Sequence, residues 1–316
     1  MSQPQEPTPA AFRNPVLRYF AATRPAFITA TLVGCLVGLA TASHDGIPFD
    51  GTLAAVTVLF AFVAHAGINV LNDYYDALSG TDDCNTDRIF PLTGGSRFIQ
   101  NGVMGLTEMR DFGFALLASV VAGGLWLMAH STPQLAWIGL LGLFIGWAYS
   151  ATSTNLNGRG LGEVCVILGF LAIVVGTDMV QRGAFSWTPL AMGLSYALNT
   201  ASLLFVTQFP DREADAAAGK RHWVARLGTD TARRIYPVLA ATAYLWLALA
   251  VIIHVLPPLA LLAFLATPLS VKAGRELLLH AAQPKLLADA IQLTIAAVLA
   301  HGSLLAVGLF ISKGTS

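Results

Sequence analysis

Charge is what this 316-residue chain has least of: 11% of its residues are Asp, Glu, Lys or Arg, against roughly 25% in an ordinary soluble domain. With 55% hydrophobic residues and a mean hydropathy of +0.64, a water-soluble globular fold is excluded and a membrane protein is indicated. Acidic and basic residues balance at 18 each, so no surplus of positive charge serves a nucleic acid, which is excluded as a partner. Cysteine is scarce too. Cys35, Cys84 and Cys165 are odd in number and far apart, which excludes a disulfide framework and a zinc site and leaves three free thiols. The first 24 residues lack the apolar core and small-residue cleavage site of a signal peptide; polar and proline-rich, they read as a cytosolic tail ahead of a helical membrane domain over 25–316.

What the chain has in place of charge is long apolar runs. A membrane-spanning helix needs about 20 mostly apolar residues. Nine candidates lie near 25–43, 52–71, 112–130, 134–150, 163–180, 189–209, 236–253, 257–271 and 288–311, which predicts an all-α integral membrane protein embedded in a lipid bilayer. The segment at 257–271 is short and carries Pro257, Pro258 and Pro268, the first two placed best in its opening turn. With the N-terminus in the cytosol, sixteen Lys and Arg fall on that side and only Arg182 and Lys313 on the other. So strong a positive-inside bias supports nine crossings, because a wrong count would scramble it.

The remaining charge is concentrated rather than scattered. Long polar connections follow the second segment (about 72–111) and the sixth (about 210–235), both cytosolic, and connections of this length tend to be functional. Each opens with an acidic cluster, "NDYYD" from Asn72 and "DREAD" from Asp211, so the two halves resemble a diverged repeat. On a helix, Asn72 and Asp76 share a face, as do Asp73 with Asp76 and Asp211 with Asp215. His65 and Asn69 extend the first stripe inward, so that face must line a bundle interior or a wet cavity.

Two facing carboxylate clusters repel unless a cation lies between them. Oxygen ligands of this kind suit Mg²⁺, which completes its shell with water and substrate phosphates. "TGGSR" with Gly94, Gly95 and Arg97, and "GKR" with Gly219, Lys220 and Arg221, add glycine and positive charge, the components of a diphosphate site. A single acidic cluster at a helix end is most often solvated surface; two at equivalent ends, each followed by glycine and a base, are not. A cation-coupled transporter is the rival outside the enzyme class, but it would carry Asp or Glu near several midplanes, which here are nearly free of charge.

At "NDYYDALSGTD" (72–82) and "DREADAAAGKRHWVARLG" (211–228) the sequence resembles the UbiA-type family of integral-membrane aromatic prenyltransferases. The resemblance spans nearly the whole chain. It implies a ring of nine helices around a central cavity, capped by the cytosolic loops after the second and sixth. It also implies transfer of a polyprenyl group from its diphosphate to an aromatic acceptor at the cytoplasmic face of the cell (inner) membrane. Carried over by motif position, Asn72, Asp73, Asp76, Asp211 and Asp215 would ligate Mg²⁺, with Asp82 a further candidate, and Arg97, Lys220 and Arg221 would neutralise the diphosphate.

Within the family the likeness is to the menaquinone-branch enzymes that prenylate 1,4-dihydroxy-2-naphthoate, on "GRGLGEV" at 158–164, "GTDMVQRG" at 176–183 and "AGKR" followed by "RLG". The stretch "TQFPD" at 207–211 departs from that branch at Gln208 and Pro210, and 4-hydroxybenzoate or homogentisate are the alternative acceptors. Tyr149 could offer its π face to a carbocation, or act as a membrane-interface residue. Arg159 or Glu163 could bind or deprotonate the acceptor; the bland role for Glu163 is helix N-terminal capping. His65 reads as a satisfied interior histidine, and Asp178, at the outer end of the fifth segment, as structural.

Overall fold

The structure, a computed structural model, describes residues 5–313. Residues 1–4 of the expected tail and 314–316 of the expected helical domain lie outside the described residues. In lipid every backbone N–H and C=O must find an internal partner, and a chain this apolar answers with helices. No strand occurs among the described residues. The helices are α1 (Pro15–Ala22), α2 (Pro25–His44), α3 (Gly51–Ser79), α4 (Thr81–Cys84), α5 (Leu106–His130) and α6 (Leu135–Ser150), followed by α7 (Gly162–Arg182), α8 (Thr188–Ala217), α9 (Trp223–Ala232), α10 (Ile235–Ile252), α11 (Thr267–His280) and α12 (Ala288–Ile311).

Among the described residues seven helices are long and apolar enough to cross a membrane: α2, α3, α5, α7 with its preceding turn, α8, α10 and α12. The other two expected spans take shorter forms. Segment 134–150 is the 16-residue α6, about 24 Å at 1.5 Å per residue and so short of a typical hydrocarbon core. Segment 257–271 is a 3₁₀ stretch, Pro258–Ala266, that runs straight into α11, with Pro257 before it and Pro268 in the first turn of α11. Along the chain the large helices pack as neighbours from α2 through α3, α5, α6, α7, α8, α10 and α11 to α12, and α12 packs back on α2.

Small residues set how closely these helices approach. Between lipid-facing helices apolar burial offers no driving force, so close van der Waals packing must supply the attachment. Gly34 and Gly38 of α2 are four apart and meet α7 and α8: a Cβ on Gly38 would lie 2.5 Å from the Val174 carbonyl and 2.8 Å from Thr177 Cβ. At the outer end Arg182 holds Asp178 and Asp45 through its guanidinium at 2.8 and 2.7 Å, which gives buried Asp178 the structural role expected of it. All three cysteines are free, Cys35 and Cys165 buried and Cys84 exposed.

The N-terminal segment is not a loose tail over its described part. Asn14 caps α1 by accepting from the Val16 N–H at 2.9 Å. Glu6 accepts from Arg88 Nε at 2.7 Å and Asn101 Nδ2 at 3.2 Å, and Phe12 packs on Phe98 with ring centroids 4.9 Å apart. These contacts tie the segment under the long loop after α3.

Overpacking a tight interface typically costs 1–3 kcal/mol, so Gly38→Leu should lower the thermal midpoint of the detergent-solubilised protein by several degrees. Gly124→Ala, at a site with nothing within 4 Å of the added carbon, should leave it nearly unchanged; equal midpoints for the two variants would contradict the assigned role of Gly38.

Candidate functional site

α3 continues past its apolar stretch to Ser79, so Asn72, Asp73 and Asp76 occupy its last two turns. Gly80 ends the helix with φ +74°, a left-handed conformation cheap only for glycine, and α4 then brings Asp82 back beneath Asp73. On the other side α8 runs to Ala217, placing Asp211 and Asp215 near its end. Gly219 adopts φ +80° and the Lys220 N–H donates to the Asp215 carbonyl at 2.9 Å, a Schellman-type close that folds Lys220 back over the helix end.

That reversal carries the Lys220 ammonium between the two clusters. Its Nζ lies 2.8 Å from Asp76 Oδ1 and 2.9 Å from Asp215 Oδ1. Burial disfavours the charge, yet the two carboxylates outweigh it and hold the group protonated well above the ordinary lysine range. The cation required between the clusters is therefore supplied by the chain itself. The second Asp76 oxygen accepts from Asn72 Nδ2 at 3.2 Å, and Asn72 also donates to Ser150 Oγ at 2.9 Å. Asp215 Oδ2 pairs with His222 Nε2 at 3.1 Å, while His222 Nδ1 accepts from the Ala225 N–H to cap α9. With Nδ1 accepting from the Ala225 N–H, it is Nε2 that faces Asp215.

The glycine loop serves the carboxylates directly. Gly94 N–H donates to Asp211 Oδ2 at 3.3 Å and Ser96 N–H to Asp73 Oδ2 at 3.0 Å, so these amides, expected for phosphate, are engaged by both acidic motifs. Asn85 adds a bond from Nδ2 to Asp211 Oδ1 at 2.7 Å.

Among the described residues no three His, Cys, Asp or Glu side chains are already gathered for a metal. The oxygens present nonetheless suit a hard cation. Asp73 Oδ1 and Asp82 Oδ2 are buried without a hydrogen-bond partner, and they lie 2.9 and 3.0 Å from the point where a Cβ of Gly95 would sit. Glycine keeps that space open between two unpaired carboxylate oxygens, as an oxygen-liganded divalent ion requires. Burial, then the charges of Asp76 and Asp73, push the Asp82 carboxyl up to about 9. Arg24 Nη1 is 3.6 Å from Asp73 Oδ1, and the charges of Lys220 and Arg97 act on Asp82.

These groups stand at the mouth of a cavity of ≈ 640 Å³. Asn72, Asp76, Asp82, Asp211 and Lys220 line its polar end, and Tyr149 and Arg24 stand in the same wall. Deeper in, His65 and Phe170 line it, and Leu127, Leu135 and Val180 close the far end. Thr57 and Asp76 of α3 both face it, a separation of about 28 Å at 1.5 Å per residue. His65 Nδ1 is bonded to Thr31 Oγ1 at 2.6 Å, the satisfied histidine expected.

Other expected residues stand elsewhere. Arg97 is buried at φ +65°, donates to the Asp82 carbonyl and faces Glu6 Oε2 at 4.0 Å; it holds the loop and does not line the cavity. Arg159 is exposed, its Nη2 bonded to the Ser153 carbonyl at 3.3 Å. Arg221 is exposed as well, tied by its backbone N–H to Gly158, because Gly219 turns only Lys220 inward. Glu163 sits buried behind the wall and reaches it through Gln208, whose Nε2 donates to Glu163 Oε1 at 2.9 Å. Sequence reasoning missed Arg24, counted only as a cytosolic charge, and also Asn85, His222 and the role of Gln208. His222, two residues beyond Lys220, was within reach of the motif; Arg24 had no local signal.

Residues 31–286 match the UbiA prenyltransferase family. The chain is 28% identical to the 2-carboxy-1,4-naphthoquinone phytyltransferase of Synechocystis, over 84% of each chain. It is 27% identical to the 1,4-dihydroxy-2-naphthoate octaprenyltransferase of Escherichia coli, over 92% of this chain and 94% of that one. Its fold matches a UbiA homolog from Archaeoglobus fulgidus solved bound to DMAPP and Mg²⁺, with TM-score 0.64 and 17% identity over 92% of this chain and 99% of that chain. A family pattern running from the first long helix to the turn before the last, with curated relatives aligned over most of their length, makes this chain a member of the UbiA prenyltransferase family, and its activity prenyl transfer.

Proposed function

We propose that the protein transfers a polyprenyl group from its diphosphate to 1,4-dihydroxy-2-naphthoate, in menaquinone biosynthesis, with Mg²⁺ bound and the active site facing the cytoplasm at the inner cell membrane. The observation that carries this reading is the meeting of two acidic motifs, from α3 and α8, across Lys220 at the polar mouth of a long apolar cavity. The naphthoate names of the relatives support the acceptor, and the ligands of the fold neighbour support the diphosphate and the metal. The membrane domain, 25–316, makes nine crossings in a ring, the seven long helices joined by α6 and the Pro258–His280 unit; the closed succession of helix neighbours supports this. Residues 1–24 form the cytosolic segment.

Asp73, Asp82 and Asp76 from the first motif and Asp211 and Asp215 from the second would hold the metal, with Asn72 supplying an amide oxygen. When bound, the ion neutralises the diphosphate and stabilises it as a leaving group. Arg24 and Lys220 supply fixed positive charge to the same oxygens. The loop pinned by Gly94, Ser96 and Arg97 excludes water, so that the allylic carbon, once its C–O bond ionises, meets the aromatic ring and not a hydroxide. Tyr149, which lines the cavity, would offer that carbon its π face. The isoprenoid tail lies along the apolar stretch of cavity past Phe170 toward Leu127 and Val180.

Purified protein given a labelled polyprenyl diphosphate and a panel of aromatic acids tests this directly. Label should pass to 1,4-dihydroxy-2-naphthoate only with a divalent ion present, and Asp76→Asn or Asp211→Asn should each lower kcat/KM by about 100-fold or more. Full activity in those variants, or no acceptor labelled at all, would sink the proposal.

The raised Asp82 carboxyl makes a second prediction. Below about 9 it holds a proton that a cation must displace, so apparent Mg²⁺ affinity should climb as pH rises toward 9, with protons released on binding. Calorimetry in two buffers of different ionisation enthalpy counts those protons; Asp82→Asn should diminish the release, and an affinity independent of pH would contradict the role given to Asp82.

A further inference from the structure

The polar end of the cavity carries two contrasting sets of groups. One is the pair of cations Arg24 and Lys220. The other, where α7 begins beside α8, is three buried oxygens with no hydrogen-bond partner: Gln208 Oε1, Glu163 Oε2 and Asn157 Oδ1. Gln208 and Asn157 both line the cavity. Gln208 is 4% exposed and Glu163 7%, so neither is satisfied by bulk water.

Which end of the Gln208 amide is free is decided by its neighbour. Glu163 Oε1 accepts from Gln208 Nε2 at 2.9 Å, and a carboxylate in that position accepts only from the NH₂ end. The pairing therefore sets the orientation of an amide that coordinates alone leave ambiguous, and it leaves the carbonyl oxygen for a ligand. Asn157 Oδ1 lies 2.3 Å from where a Cβ of Gly162 would be, so glycine at 162 is what admits it. The two amide oxygens left without a partner, Gln208 Oε1 and Asn157 Oδ1, offer this part of the cavity to hydrogen-bond donors.

We infer that this wall, centred on Gln208, recognises the ring hydroxyls of the aromatic acceptor, with Gln208 Oε1 and Asn157 Oδ1 receiving phenolic O–H groups and Glu163 acting as the positioning residue that holds the amide. The inference rests on the prenyl-transfer reading and adds to it a basis for acceptor choice: a dihydroxy aromatic acid fills both oxygens, whereas its monohydroxy analogue leaves one buried and unpaired. Anionic groups of either substrate go to Arg24 and Lys220, so the two sets together orient the ring. Gln208, where the sequence departs from its branch, is then a specificity residue.

Steady-state kinetics on the full-length protein in detergent, with 1,4-dihydroxy-2-naphthoate against 1-hydroxy-2-naphthoate and geranyl diphosphate as donor, test this. Gln208→Met should raise KM for the dihydroxy acceptor by about tenfold, shrink its advantage over the monohydroxy acceptor by a similar factor, and leave KM for the diphosphate within about twofold. Glu163→Gln, which lets the amide turn over, should give part of the same shift with kcat retained. Because Gln208→Met leaves the Glu163 carboxylate unpaired and can unsettle the fold, the double variant Glu163→Met with Gln208→Met must show the same loss of preference in a stably folded protein. A preference between the two acceptors that survives these changes, or KM values for both substrates rising together, overturns the inference. If the unaltered protein prenylates neither acid, the proposed acceptor fails, and the hydroxyl preference is then read by direct binding of the two acids to unaltered and Gln208→Met protein.

Discussion

A buried ammonium shared by two carboxylates from opposite halves of the chain is the contact on which the polar end of this protein depends. Lys220 stands between Asp76 of α3 and Asp215 of α8. Removing one partner from a buried ion pair commonly costs 3–5 kcal/mol, because the remaining charge is left without water or counter-ion. The arrangement thus couples the two motifs: neither helix end can move without exposing an unpaired charge to the other. His222, Asn85, Gly94 and Ser96 spread the same restraint over the surrounding loops by hydrogen-bonding oxygens of Asp215, Asp211 and Asp73.

Beneath this polar cluster the protein is apolar and held by close packing. Gly34 and Gly38 let α2 approach α7 and α8, while Tyr196 of α8 donates to the Ala30 carbonyl of α2 at 2.6 Å and packs edge-to-face on Phe170. The cavity survives in the other half of the bundle because Gly124, Gly139 and Gly142 line it with no atom opposite. Where glycine meets a neighbour it tightens the bundle, and where it meets none it leaves room for a ligand. The loop above is braced from outside by Glu6, which holds Arg88 and faces Arg97, so the N-terminal segment helps hold the loop over the site.

Much of the site was legible because its chemistry repeats at helical spacing. Asn72, Asp76, Asp211 and Asp215 lie in the two motifs and line one end of the cavity, while Asp73 stands beside Gly95 and Lys220 lies between Asp76 and Asp215. The bases were harder to rank. Arg97, Lys220 and Arg221 look alike in a loop, yet a positive φ at Gly219 turns Lys220 inward, Arg221 stays in solvent, and Arg97 is spent on the Asp82 carbonyl. Arg24 reaches Asp73 from a distant part of the chain, and no local pattern announces such a pairing. Arg159, marked by its position before α7, points away and bonds the Ser153 carbonyl.

By itself the sequence determined the class of protein, the places of the long helices and the two acidic motifs, because hydropathy and helical periodicity are local properties that lipid and backbone hydrogen bonding enforce; the polar ends of α3, α5 and α8 run past the apolar segments that announced them. Only the tertiary structure decided which cation lies between the carboxylates, which oxygens stay unpaired beside Gly95, and which wall of the cavity Gln208 presents. Those outcomes depend on side chains brought together from α2, α3, α7, α8 and the loops between them. In a low-dielectric interior the energy of each charge and each hydrogen-bonding atom is set by the neighbours it meets in space, and that proximity is not written at any one position of the chain.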